Sequence, residues 1–190
     1  MRWIIGVDEV GRGPIAGPIA VGAVCIPIGD NVWEAWEGLK DSKKLTEKRR
    51  ERWFAEMKER KVRYTVSMID AQYIDEYGIA QAAREAVAST IGALNVTPDK
   101  GHVLLDAGLT APEEFHQEAI VKGDEHIPAI ALASVAAKVT RDRYLCEMGE
   151  KHPGYGFERH KGYGTAAHYE AIREQGLLEG IHRRTFIHLD

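Results

Sequence analysis

Apolar residues recur along this chain in two rhythms. Short apolar runs, some alternating with polar residues, predict strands at 3–7, at 18–28 in "PIAVGAVCIPI", and at 61–69 in "KVRYTVSMI", where Val62, Tyr64, Val66 and Met68 share one face. Two more follow, "HVLLDAG" at 102–108 and "EAIVKGDE" at 118–125. Helical spacing predicts a charged helix from an N-cap at Thr46 to about Glu59 and an Ala-rich helix over 78–95. It also predicts a long helix from about Pro128 to Glu150, and a last one within 164–176 that Thr165 opens and Gly176 stops. Three early strands followed by alternating helices and strands fit a mixed α/β sheet covered by helices on both faces.

Three of the five strands carry an Asp at or just past the C-terminal end: Asp8, Asp106 and Asp124. In open α/β sheets that edge is where ligands bind. Carboxylates gathered there repel one another, and burial raises the cost of each charge. A shared proton is one remedy; a divalent cation is another. A set of Asp and Glu without His or Cys suits Mg²⁺ or Mn²⁺. Glu9 follows Asp8 directly, and in a regular strand the two point to opposite faces. Both can serve one site if the pleat ends there, and Gly11, Gly13 and Pro14 are suited to ending it. Taken singly, each Asp is more often structural than catalytic, since Asp is common at strand ends and turns.

Composition narrows the setting. With 190 residues and 44% hydrophobic content the chain suits one globular domain over 1–190, with a short C-terminal segment from about 177. No apolar stretch is long enough to cross a bilayer, and an acidic pair stands where a signal peptide would continue its apolar core, so a cytoplasmic location is expected. Cys25 and Cys146 read as buried free thiols. The net charge of −4 argues against a protein that coats nucleic acid. Its basic residues are nonetheless clustered, in "DSKKLTEKRRER", "AAKVTRDR", "ERHKGYG" and "IHRR", and such patches can bind phosphates. For Lys48 to Arg52 a solvated helix face is the favoured reading.

The loop "GRGPIAG" is not a dinucleotide fingerprint, because its third glycine comes one residue late, and no G-K-[ST] follows to make a P-loop. Its backbone amides at Gly11, Arg12 and Gly13 could meet a sugar hydroxyl or a phosphate; a simple tight turn remains open. Four histidines, His152, His160, His168 and His182, match no zinc spacing. Asp142, inside the long helix, is assigned a structural ion pair with a neighbouring Arg.

Six blocks, "GVDEVGRGPIAGP", "DSKKLTEKRRE", "LLDAG", "VKGDEHIPAIALASVAAKVTRDR", "YGFERHKGYGT" and "IHRRTF", occur in this order from Gly6 to Phe186. Together they resemble bacterial-type ribonuclease HII; Thr185 stands where serine is commoner. The resemblance implies a ribonuclease H-like fold, a mixed five-stranded sheet with helices on both faces. It implies a metal-dependent endoribonuclease that cuts RNA in RNA–DNA hybrids and incises 5′ of single ribonucleotides in duplex DNA by two-metal catalysis, leaving 3′-hydroxyl and 5′-phosphate ends. By the same resemblance Asp8, Glu9, Asp106 and Asp124 are the catalytic, Mg²⁺- or Mn²⁺-binding carboxylates. Gly11, Arg12 and Gly13 would read the 2′-hydroxyl, and Tyr163 would stack at the junction sugar. Ser42, Lys43 and Lys44 would contact phosphates, supported by Ser134 and Lys138. The partner would be an RNA–DNA hybrid or ribonucleotide-containing duplex, with no membrane and a monomeric protein. Two rivals stand beside this reading: a nuclease of the same fold acting on DNA junctions, and a non-catalytic hybrid-binding module.

Overall fold

The computed structural model describes residues 2–29, 36, 39 and 45–189. Among these, five strands form one sheet: β1 (Trp3–Val10), β2 (Ile19–Pro27), β3 (Arg63–Ile69), β4 (Gly101–Asp106) and β5 (His116–Ile120). Their order is β3-β2-β1-β4-β5. The β1–β2 and β2–β3 pairs are antiparallel, whereas β1–β4 and β4–β5 are parallel. The expected mixed sheet is present.

The helices take their places by amphipathic fit. α1 (Glu47–Glu59) is capped as expected, with the Arg49 amide donating to the Thr46 hydroxyl at 3.4 Å. α2 (Ala71–Tyr77) was not foreseen; its signal was Asp70, whose carboxylate accepts from the Tyr73 amide at 2.8 Å as an N-cap. Gly78, at φ 82, breaks α2 from α3 (Ile79–Ala93). After β5 come α4 (Gly123–His126), α5 (Pro128–Lys151), α6 (Phe157–His160) and α7 (Ala166–Gln175), then a 3-10 turn at Arg184–Phe186.

The two sheet faces bury different residues. Ile5, Val7, Val21, Ala23, Val103 and Leu105 face one core, which α3 closes with Ala82, Ala86, Val87 and Ile91. On the other face α5 lies against β1 and β2, with α1 beyond it; Phe54, Met57, Leu132, Val135 and Ala136 fill that core. Contact between α5 and the sheet is made by main chain. A Cβ on Gly6 would stand 2.2 Å from the Ala129 carbonyl carbon, and one on Gly22 would stand 2.2 Å from the Ala133 oxygen. Only glycine allows this approach, and it brings the next residues of β1 under the flank of α5.

Cys25 is buried and Cys146 only partly so; neither is in a disulfide. Burial pushes the Cys25 thiol up to about 11.

Gly22→Ala should lower stability by about 3 kcal/mol through forced separation of α5 from the sheet. Urea denaturation measures this, and an unmoved midpoint would show that the helix has slack.

Candidate active site

The paired register of β1 and β4 ends at Val7↔Leu105, so Asp8 and Asp106 are the next residues on neighbouring parallel strands. By alternation both point away from the α3 core, towards α5. Asp8 is fully buried and Asp106 is 9% exposed. Asp8, Glu9 and Asp106 each bring one oxygen within 4.8 Å of the others.

Glu9 joins this group by a different route from the one expected. The strand does not end there; β1 pairs with β2 through Val10↔Ala20. On the β4 side, however, pairing has stopped two residues earlier. With that edge open, the Glu9 carboxylate joins the other two although its position in the pleat is on the opposite face. The Glu9 amide donates to Asp8 Oδ1 at 2.8 Å, which locks the pair.

The placement of Asp124 also differs from expectation. β5 ends at Ile120, Lys122 takes a left-handed conformation at φ 55, and Asp124 sits in the short α4 turn. It is 2% exposed and lies outside the three-residue group. Its turn is nonetheless tied to the site, because the Gly123 amide donates to Asp106 Oδ1 at 2.9 Å.

The electrostatics favour a cation. Arg12 Nη1 lies 3.4 Å from Glu9 Oε1, whereas Glu9 Oε2 is buried without a hydrogen-bond partner among the described residues. Burial raises the Glu9 carboxyl above its usual range; Arg12 opposes this and Asp106 adds to it. A buried carboxylate oxygen left unsatisfied is costly, and a hard divalent ion matches this all-oxygen donor set.

Beside the carboxylates opens a cavity of about 370 Å³, lined by Glu9, Gly11, Arg12 and Gly13 of the loop and by Tyr163 opposite. From α5 come Ser134 and Lys138, so the structure unites these expected contacts. Ser42, Lys43 and Lys44 lie outside the described residues. Arg50 of α1 lines the cavity too and was not foreseen, since in sequence it belongs to an ordinary charged helix face. Asp142 organises this wall: it accepts from Lys138 Nζ at 2.7 Å and lies 3.5 Å from Arg50 Nη2. Its ion pair thus reaches an arginine distant in sequence.

A family model described as ribonuclease HII matches residues 5–189. The chain belongs to the ribonuclease HII family. Membership brings the enzyme class, a metal-dependent ribonuclease H of type 2. Ribonuclease HII of Bacillus thuringiensis strain Al Hakam is 45% identical over 186 residues, 98% of this chain and 69% of the relative. The Bacillus anthracis enzyme gives the same figures, 45% identity over 186 residues. Among solved structures, ribonuclease H2 from Pyrococcus horikoshii OT3 superposes with a TM-score of 0.78 at 27% identity, covering 96% of this chain and 93% of that one.

In this ribonuclease HII family member, one arginine from each of two basic clusters turns inward. Arg141 and Arg183 are fully buried. Arg141 donates to the carbonyls of Pro18 at 2.8 Å, Lys161 at 3.0 Å and Ala16 at 3.0 Å, so it bridges the glycine loop and the Tyr163 segment. The Ile15 and Ala16 amides donate to the Gly162 carbonyl at 2.9 and 3.1 Å. Desolvation lowers Arg141 to about 10.

Two buried histidines brace Tyr163 from behind. His168 Nδ1 donates to the Tyr163 carbonyl at 2.9 Å, leaving Nε2 as an acceptor. His182 Nδ1 accepts the Leu178 amide at 2.8 Å, so its Nε2 carries the proton and donates to His168 Nε2 at 3.1 Å. Both rings are therefore neutral, and each has its pKa pushed down to about 4, chiefly by burial. His160 stacks on His168 with ring centroids 4.1 Å apart. None of these histidines belongs to the carboxylate group.

Neutral buried histidines make stability depend on pH. Between about pH 4 and 6.5 the unfolded chain binds protons that the folded chain refuses, so stability is complete at neutral pH and is lost on acidification through that window. Lowering the pH from 7.5 to 5.5 should cost on the order of 1 kcal/mol per histidine. Thermal melting checks this, and His168→Asn, which keeps a donor at the Nδ1 position, should flatten the slope.

Proposed function

We propose that this chain hydrolyses RNA in RNA–DNA hybrids and incises 5′ of single ribonucleotides embedded in duplex DNA, leaving 3′-hydroxyl and 5′-phosphate ends. The observation that carries this reading is the convergence of Asp8, Glu9 and Asp106 beside a cavity walled by Gly11–Gly13, Ser134 and Tyr163. The same reading takes residues 1–190 as one catalytic domain, monomeric and cytoplasmic.

Asp8, Glu9 and Asp106 would hold the metal ions, with Asp124 as a fourth carboxylate from the adjoining turn. Two Mg²⁺ or Mn²⁺ ions bound there would supply an activated water and charge stabilisation at the departing 3′-oxygen. The protein's own part is orientation. Backbone amides of the Gly11–Gly13 loop meet the 2′-hydroxyl, the group that separates RNA from DNA. Tyr163, 47% exposed, offers its ring to the neighbouring sugar. Ser134 and Lys138, together with Ser42, Lys43 and Lys44, hold phosphates and set register without reading sequence.

The test pairs two labelled duplexes, one with a single ribonucleotide and one all DNA, in Mg²⁺ and then Mn²⁺. Cleavage confined to the first supports the reading; equal cleavage of both, or none of either, refutes it. Asp106→Asn should lower the rate by at least about a hundredfold with an unchanged circular dichroism spectrum. Tyr163→Ala should reduce preference for the ribonucleotide junction about tenfold, seen as a shift in competition between the two duplexes with metal affinity unaltered.

A further inference from the structure

Arg183 is fully buried, and its guanidinium spends its donors on backbone carbonyls. Nε donates to Gly17 at 2.9 Å, Nη1 to Arg12 at 3.2 Å and Nη2 to Gly11 at 2.8 Å. Two of these acceptors belong to the loop that lines the cavity. A trans peptide is planar, with its carbonyl and the following amide pointing in opposite directions. Drawing the Gly11 carbonyl inward therefore turns the Arg12 amide outward, and drawing the Arg12 carbonyl inward does the same to the Gly13 amide. Neither amide donates to another backbone group among the described residues. A Cβ on Gly13 would meet nothing within 4 Å, so the space before it is open.

Arg183 is itself held in place. Its amide donates to the Ile15 carbonyl at 2.8 Å, and the Gly17 amide donates to Ile181 at 2.8 Å. Asp75 of α2 accepts from the Arg184 amide at 2.8 Å, the Thr185 amide at 3.0 Å and the Thr185 hydroxyl at 2.6 Å, closing the turn from outside.

We infer that Arg183 is a positioning residue for ribose recognition: its planar fork fixes two consecutive peptide planes so that the Arg12 and Gly13 amides face the 2′-oxygen of the substrate. The inference rests on the proposed reading of the cavity. It explains why this position holds an arginine facing carbonyls: lysine keeps the charge but cannot span three fixed acceptors with one planar group.

The experiment measures affinity by fluorescence anisotropy, with Ca²⁺ as the divalent ion, for a duplex containing one ribonucleotide and for its all-DNA counterpart. For Arg183→Lys the ratio of the two affinities should fall about tenfold, the worth of one or two hydrogen bonds, while all-DNA binding stays within about twofold. A folded Arg183→Lys protein with the wild-type ratio would overturn the inference. If that variant does not fold, the wild-type protein decides: the Arg12 and Gly13 amide resonances should move with the ribonucleotide duplex far more than with DNA, and equal movement refutes the assignment. A wild-type protein that binds both duplexes equally would instead refute the reading of the cavity, and the inference with it.

Discussion

The main-chain contact between α5 and the sheet sets the frame for everything else. Gly6 and Gly22 leave no side chain between β1, β2 and the helix. Buried Asp8 follows Gly6 by two residues and pairs with Gly22, so it lies on the same helix-facing side of the sheet as both glycines. The same helix then supplies, at successive turns, Ser134 and Lys138 to the cavity, Arg141 beneath the glycine loop and Asp142 behind Lys138 and Arg50. A helix standing farther off would deliver none of these groups together. Its run of small residues, Ala129, Ala131, Ala133, Ala136 and Ala137, is the sequence counterpart of that closeness.

The second constraint is how charge is divided. Negative groups crowd at the end of β1 and β4, where one carboxylate oxygen of Glu9 is left unsatisfied among the described residues. Positive groups lie behind the loop, out of water, each answered by three neutral carbonyls. Burying a guanidinium is costly, and several good hydrogen bonds are needed to offset it. Desolvation and mutual repulsion lower Arg183 to about 9, with Asp75 pulling the other way. These cations shape the loop from inside, whereas Arg50 and Lys138 face the cavity.

Sequence patterns made much of the sheet legible, because apolar runs and turn residues report burial directly. Helix caps at Thr46 and Thr165 were equally readable, since a side-chain oxygen before an amphipathic run has one obvious use. Harder to read was anything decided by a distant partner. Glu9 escapes its pleat because β4 stops pairing with β1 at Leu105. Asp124 belongs to a helical turn because Lys122 adopts a left-handed conformation, which no apolar pattern announces. Arg141 and Arg183 look like surface charge in sequence; only the carbonyls that converge on them reveal that they are interior. Arg50 shows the reverse case, a helix-face arginine drawn to a cavity by Asp142.

The link between Arg183 and Gly11 spans almost the whole polypeptide. During synthesis, the N-terminal loop leaves the ribosome long before the arginine that holds its carbonyls. A growing chain can form strands and a helical layer while the loop that lines its cavity is still unshaped. Premature termination upstream of this arginine would therefore remove the hydrogen bonds that hold the Gly11 and Arg12 carbonyls.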